Sequence, residues 1–417
     1  MPKPSQPPPL QATPRLGPAG ATFEAPAWFD WLDMTGQGGA ILAFVSILMG
    51  VATSRIAISK HLRVRSTTVS AWVGAMVKAQ LVTELASKPG GRGRPLGQLI
   101  ANPNRLAVAV LMVHSQALHL VTVNLLGQEI WHDSAVVDPQ GDNAAMDAAL
   151  KALQQRALAR LPQGTHMVGI SYALSGLINV GAANWVFAAR WPGIRNLKLT
   201  ALPVPAGAAL QVVRNMDAQL QARCIRRGTS GPSERTLMLH WGYGIGAAFS
   251  GNHGGGVDNT TGFGEVGHWQ LSNQSLRCRC GQSGCLETVA ALWAIGPALL
   301  GASFDHAMDE TQAAELLRTM PLTEYPVFRQ ALQEVVLVAC NLCRVFFPSH
   351  LVITGPFIEN PGAWAAFAEA FSQRGLLVDL PLPRLEAQNS GHQLEQEGAA
   401  VPLLLNGLLQ LLEPSAA

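Results

Sequence analysis

The sequence predicts an α/β protein in which a small winged helix-turn-helix precedes a larger, two-part body. Three observations carry that prediction. The length of 417 residues exceeds what one hydrophobic core usually organises. Before residue 102, three short helical patterns run into a Gly- and Arg-rich turn; after it, apolar strand-like runs alternate with helical stretches. With 48% hydrophobic and 13% charged residues, the chain suits a packed globular protein and not a mostly disordered one.

Taken in order, residues 1–37 form a Pro-rich arm, including Pro7, Pro8 and Pro9, with little apolar periodicity, and are expected to be disordered. The apolar run Gly38 to Ala52 is shorter than the roughly 18 residues a membrane-spanning helix needs, so it predicts a buried helix over Ala40 to Val51 and no membrane segment. Two further helices are expected over Ser54 to Arg63 and Ser66 to Gln80, the latter capped by Ser66 or Thr67. A strand over Leu81 to Ala86, a turn from Lys88 to Pro95 and extended chain from Gly97 to Ala101 complete a wing, and the module is bounded at 38–102. The body, 103–417, opens with strands over Ala107 to Val113 and Leu118 to Val123. Later strands at Met167 to Tyr172, Thr236 to Leu239 and Leu351 to Thr354 are interleaved with helices such as Met146 to Leu161 and Phe328 to Phe347.

Charge is unevenly placed. Eight basic residues stand against Glu84 alone between Ser54 and Leu96, which leaves that segment at +7 and the rest of the chain at −5 of a net +2. A basic module on a mildly acidic body is the profile of a nucleic-acid reader, with a solvated basic face as the alternative. A helix-turn-helix sets the N-terminal residues of its second helix against base edges in the major groove. Those residues are Arg65, Ser66, Thr67, Thr68 and Ser70, with Lys60 on the preceding helix, while Val64, Val69, Trp72, Val73 and Met76 fall on the core side. Arg92 and Arg94 sit in Gly91-Arg92-Gly93-Arg94-Pro95, a turn slender enough to enter a minor groove, unless it is only an exposed loop.

Three of the six cysteines crowd into Cys278-Arg279-Cys280-Gly281-Gln282-Ser283-Gly284-Cys285, ten residues beyond Gly264-Glu265-Val266-Gly267-His268. Three thiolates and one imidazole satisfy a closed tetrahedral Zn2+ site with no position left for water, so the metal would pin a loop and not hydrolyse anything. Buried free thiols are the alternative. Glu265 and Glu287 flank these ligands and are placed to accept hydrogen bonds from sugar hydroxyls, if they do not simply face solvent.

With their spacing, these two stretches resemble the signature of the ROK family (repressors, open reading frames and kinases). Arg55 to Ser70 with Gly90 to Pro95 resembles the winged helix of the family's xylose-repressor and N-acetylglucosamine-repressor branch. The resemblance implies an actin-like (ribonuclease H-like), two-lobed sugar-kinase-like body. It assigns the zinc ligands to His268, Cys278, Cys280 and Cys285, sugar contacts to Glu265 and Glu287 with His268 nearby, and the vestige of a catalytic base to Asp217 in Met216-Asp217-Ala218-Gln219. The family kinases' phosphate loops are altered here. The first reads Met112-Val113-His114-Ser115-Gln116 in place of Asp-x-Gly-Gly-Thr, the second carries Tyr243 within Gly242 to Gly246, and Gly355-Pro356 replaces a Gly pair. Arg190 stands where the family has an Asn near the sugar, or else lies on the surface.

The expectation is therefore a cytoplasmic, sugar-responsive regulator that binds double-stranded DNA as a homodimer or homotetramer and has lost kinase activity. A sugar kinase with an accessory domain, and a DNA-binding protein whose body only oligomerises, are the competing readings. Cys340 and Cys343 on a buried helix, and His240 and Trp241 before the second loop, are expected to be packing residues.

Overall fold

In the computed structural model, the described residues are 38–85, 97–202, 204–227, 235–250, 264–271, 274–376, 381–389 and 391–412. The Pro-rich arm and the turn bearing Arg92 and Arg94 lie outside them.

Helix α1 (Gly38–Leu48) is apolar on every side and buried from Gly39 to Ile47; its one hydroxyl, Ser46 Oγ, donates to Leu42 O at 2.7 Å. Helix α2 (Arg55–Leu62) is capped by Ser54, whose hydroxyl accepts from Ala57 N. It ends at Arg63 in the left-handed region (φ 55), and Ser59 Oγ donates to Val64 O to close the turn into α3 (Ser66–Lys78). Neither Ser66 nor Thr67 caps α3. The capping position is Arg65, without a side-chain hydrogen bond, because the tight turn starts the helix at Ser66 itself. Strands β1 (Val82–Leu85) and β2 (Gln98–Ala101) pair antiparallel, Val82 opposite Ala101. Arg55 ties this ribbon to the helices, donating from Nε and Nη2 to both oxygens of Glu84 at 2.9 and 2.7 Å and from Nη1 to Ser70 O.

A first lobe follows, with β3 (Leu106–His114), β4 (Ala117–Asn124), β5 (Glu129–Val136), α4 (Asn143–Ala159), β6 (His166–Leu174), a ribbon of β7 (Leu177–Asn179), β8 (Asn184–Ala188) and β9 (Trp191–Lys198), then β10 (Ala209–Arg214) and α5 (Asn215–Arg227). Its five-stranded sheet has the order β10-β6-β3-β4-β5, parallel across β10-β6-β3 and antiparallel across β3-β4-β5. The central strand β3 is buried from Leu106 to Val113, which explains its unbroken apolar run.

The second lobe holds β11 (Thr236–Trp241), β12 (Ile245–Ser250), α6 (Glu287–Ala290), α7 (Leu292–Leu300), α8 (Glu310–Leu317), α9 (Pro326–Phe346), β13 (His350–Thr354), α10 (Pro361–Arg374) and β14 (Arg384–Gln388), with sheet order β12-β11-β13-β14. Its core gathers around Trp241, Phe328 and Phe357 and includes Cys340 and Cys343, which are packing residues here. Helix α11 (Gln393–Leu412) returns to the first lobe, against β3, β6 and α5, and touches α1 and α3. One apolar core consequently runs from Phe44, Val69 and Met76 of the N-terminal module through Val108 and Val110 to Leu404 and Leu408. Among the described residues, no helix is long and apolar enough to cross a membrane.

Candidate functional site

The Cys-rich loop is folded by local turns. Cys278 N donates to Gln282 O at 2.8 Å, Gly281 N donates to Cys278 O, and isolated bridges join Gln270 to Cys285 and Arg277 to Ser283. Gly284 adopts φ 78, and a Cβ there would come within 2.7 Å of Gln274 O, so glycine is required for the loop to close. The result brings one donor atom from each of His268, Cys278, Cys280 and Cys285 within 4.8 Å of one another.

Cys280 Sγ and Cys285 Sγ are 3.7 Å apart, and Cys278 Sγ is 3.6 Å from His268 Nδ1. Tetrahedral zinc, with bonds of roughly 2.3 Å to sulfur and roughly 2.0 Å to nitrogen, sets such pairs about 3.8 and about 3.5 Å apart. The four residues fit a metal of that kind, and the cluster can hold one. Burial pushes the Cys278 and Cys285 thiols up, Cys285 to about 11, so a cation at the centre is what would hold them as thiolates at neutral pH.

Next to this cluster lies a cleft between the lobes. The first lobe contributes His114 and Ser115 from the β3–β4 turn, Ser175 and Gly176 after β6, Arg190, and Arg214 to Met216. The second contributes Tyr243 to Gly246, Glu265, His268, Glu287 and the start of α8, and the start of α11 closes one end. Glu265 and Glu287 therefore both line the cleft. Glu287 is buried, and its two oxygens accept from Ile245 N at 3.0 Å and Trp293 Nε1 at 3.2 Å. Burial raises the Glu265 carboxyl above its ordinary value, against the opposing pull of Arg214, whose Nη2 is 3.6 Å away.

Asp217 is placed differently. Its Oδ1 lies 3.7 Å from Arg214 Nη1, it is buried, and Arg214 stands on the cleft wall where Asp217 does not. Burial raises the Asp217 carboxyl to about 6, only partly opposed by Arg214. An acid whose folded value exceeds its ordinary 3.8 stabilises the fold below that value and loses the contribution as pH rises through about 6. Between pH 4 and 6, wild type should therefore lose up to about 2 kcal/mol that Asp217→Asn does not lose, at no more than about 1.4 kcal/mol per pH unit. Urea midpoints of both proteins across that range check this; parallel curves would contradict it.

Arg190 is not a surface residue. Its guanidinium lies 3.7 Å above the Tyr243 ring and donates to His306 O at 3.0 Å, bridging the lobes across the cleft. Arg279 donates to the Tyr243 hydroxyl. His240, expected to be a packing residue, instead lines the cleft and pairs with Glu310 at 3.0 Å, and Glu310 also accepts from Tyr243 N. Glu310 is held below its ordinary value by these partners despite its burial. Sequence reasoning missed Asp309, Glu310, His392 and Glu395, all of which line the cleft. The one local signal for them was the Asp309 to Gln312 spacing, which here forms a capping box at the start of α8.

At the N-terminal module, Lys60 on α2 is exposed, as are Arg65, Ser66, Thr67 and Ser70, while Thr68 is half-buried; these last five lie along α3 and its cap, opposite buried Val69, Val73 and Met76.

A family model described as the ROK family matches residues 124–401. Among curated proteins, the DNA-binding transcriptional repressor Mlc of Escherichia coli (strain K12) is 23% identical over 272 residues, 64% of this chain and 65% of that protein. The xylose repressor of Caldicellulosiruptor bescii is 25% identical over 269 residues, covering 61% and 64%. The chain thus matches somewhat under two thirds of these relatives' length. Among solved structures, a ROK family transcriptional regulator described as a homologue of E. coli Mlc aligns with 90% of this chain and 98% of its own, at TM-score 0.61 and 20% identity. A ROK hexokinase from Thermus thermophilus aligns with 72% of this chain and 99% of its own, at TM-score 0.52 and 21% identity. These likenesses show the fold, a two-lobed, actin-like α/β body behind a helix-turn-helix.

Proposed function

Because this chain belongs to the ROK family, we propose that it is a sequence-specific DNA-binding repressor of carbohydrate-metabolism genes, whose grip on duplex DNA changes when a sugar or sugar derivative enters the interlobe cleft. The observation that carries the reading is the exposed edge of α3, with Arg65 at its tip and hydroxyls at Ser66, Thr67 and Ser70, held up by a core continuous with the body. The printed names of the relatives, a DNA-binding repressor and a xylose repressor, agree with it. A module of residues 38–102 and a body of 103–417 working as a homodimer or homotetramer match the two-fold operators such modules read. Arg92 and Arg94 would add minor-groove contacts.

Zn2+ held by His268, Cys278, Cys280 and Cys285 is structural in this reading. It stiffens the loop from which Glu265 and His268 meet the sugar, with Glu287 behind them. Asp217, buried against Arg214, serves that wall and no longer abstracts a proton. Loss of kinase activity is supported by the phosphate side of the cleft. The β3–β4 turn is a tight hairpin with Ser115 at φ 57 and no glycine amides to cradle a phosphate, and the second loop carries the Tyr243 ring with Arg190 stacked on it. No sugar-dependent ATP consumption is expected in a coupled assay; turnover abolished by Asp217→Ala would support the kinase reading instead.

Arg190 is already engaged by His306 and Tyr243, while the cleft also presents Glu265, Glu287 and Glu310. Calorimetry should therefore find neutral sugars binding at least as tightly as acidic ones, and a strong preference for anionic sugars would mean that Arg190 is released to bind them. Footprinting of the DNA flanking its own gene, with sugars added one at a time, tests the function as a whole. A protected stretch that one sugar clears is expected, and no protection at moderate salt would refute the reading.

A further inference from the structure

The geometry points to a second metal site, separate from the cysteine cluster, in which His114, His392 and Glu395 bind a divalent transition cation of the Zn2+ or Co2+ type at the N-terminal end of α11. His114 ends β3 in the first lobe, whereas His392 and Glu395 belong to the turn and first residues of α11, so the fold alone brings them together. One ligand atom from each of the three lies within 4.8 Å of the others. His114 Nε2 is 3.8 Å from Glu395 Oε2, and the His392 ring lies face to face with that of His114, so one ring turns out of the stack when both aim a nitrogen at a shared ion.

A second observation is independent of that clustering. His114 Nε2 and Glu395 Oε1 are both buried and have no hydrogen-bond partner. Buried polar atoms are normally satisfied, and two neighbouring orphans that each offer a lone pair are what a shared cation resolves. The Asp309 carboxylate, 3.5 Å from His392 Nε2, supplies the outer contact that orients a ligating imidazole.

Donor chemistry selects the ion. Two imidazoles and one carboxylate suit borderline divalent transition metals and leave coordination positions open, unlike the closed thiolate cluster. Because His114, His392 and Glu395 line the same cleft as Glu265, those open positions would meet an oxygen-donor ligand, such as vicinal hydroxyls, inside it.

The test uses full-length protein with its cysteine cluster already loaded with Zn2+, titrated with Co2+. Bound metal is counted by mass spectrometry, and the Co2+ absorption spectrum is recorded. One Co2+ per chain is expected to bind in addition to the cluster's metal, with ligand-field bands and none of the intense charge transfer that thiolate ligation gives. His392→Ala, at a part-exposed ring, and Glu395→Gln should each abolish this equivalent while the cluster's metal stays. Asp309→Asn should weaken it by about 10–100-fold. A wild type that binds no second equivalent, or one whose second equivalent persists in both ligand variants, overturns the assignment. Because the cluster is counted separately, failure here is distinguishable from failure of the zinc reading.

Discussion

Replacing Cys285 by serine should strip the cysteine cluster of its metal and lower the midpoint of thermal unfolding by about 3–4 °C. Cys285 is fully buried, and its Sγ is one corner of the cluster, 3.7 Å from Cys280 Sγ. Serine offers zinc a poor ligand, and three remaining donors do not close a tetrahedron. In isolated zinc-finger peptides the metal is worth about 10–16 kcal/mol because nothing else folds them. Here the loop leans on a formed core through Val266, Leu286 and Val289, so we expect about 3 kcal/mol to appear globally, at about 1 °C per kcal/mol for a chain of this length. Calorimetry with metal analysis checks both parts. Full metal content with an unchanged midpoint would remove the metal from the account.

Arg65→Ala should weaken binding to the preferred duplex by about 1–3 kcal/mol per half-site, with relaxed preference at the base it reads. The residue is exposed at the N-terminus of α3, and the turn held by Ser59 fixes its direction. Two other exposed cations serve as controls. Lys60→Ala should weaken all sequences alike and lower the salt slope by about 1, as loss of a phosphate contact does. Lys78→Ala, at the far end of α3, should change little. Fluorescence anisotropy across a salt series separates the three, and uniform weakening by Arg65→Ala would assign it to the backbone instead of a base.

How much of this could be read in advance depended on distance along the chain. The cysteine loop, Glu265 and Glu287 were legible because donors and turns lie within one short stretch, and the first three helices because apolar spacing marks a buried face. The cap of α3 was misjudged by one residue, since the preceding turn and not hydroxyl preference sets where the helix begins. His240 looked like packing beside Trp241, and only the fold shows that α8 brings Glu310 to it. The meeting of His114 with His392 and Glu395 was equally invisible. It needs β3 and α11, from opposite ends of the body, to be neighbours, and no local pattern encodes that pairing. Helix α11 matters for coupling as well. His392 and Glu395 at its start line the cleft, and the helix then packs against α1 and α3, so in the proposed function a ligand favouring one lobe arrangement has a rigid element through which to bias the N-terminal module.

Regulation through the cleft is tested most directly by titrating the footprinted duplex with the metal-loaded protein, with and without saturating sugar, in wild type and Glu265→Ala. The account predicts a Kd that shifts by at least about fivefold with sugar in wild type and not in the variant. An identical Kd in every arm, or the same shift in both proteins, would contradict it.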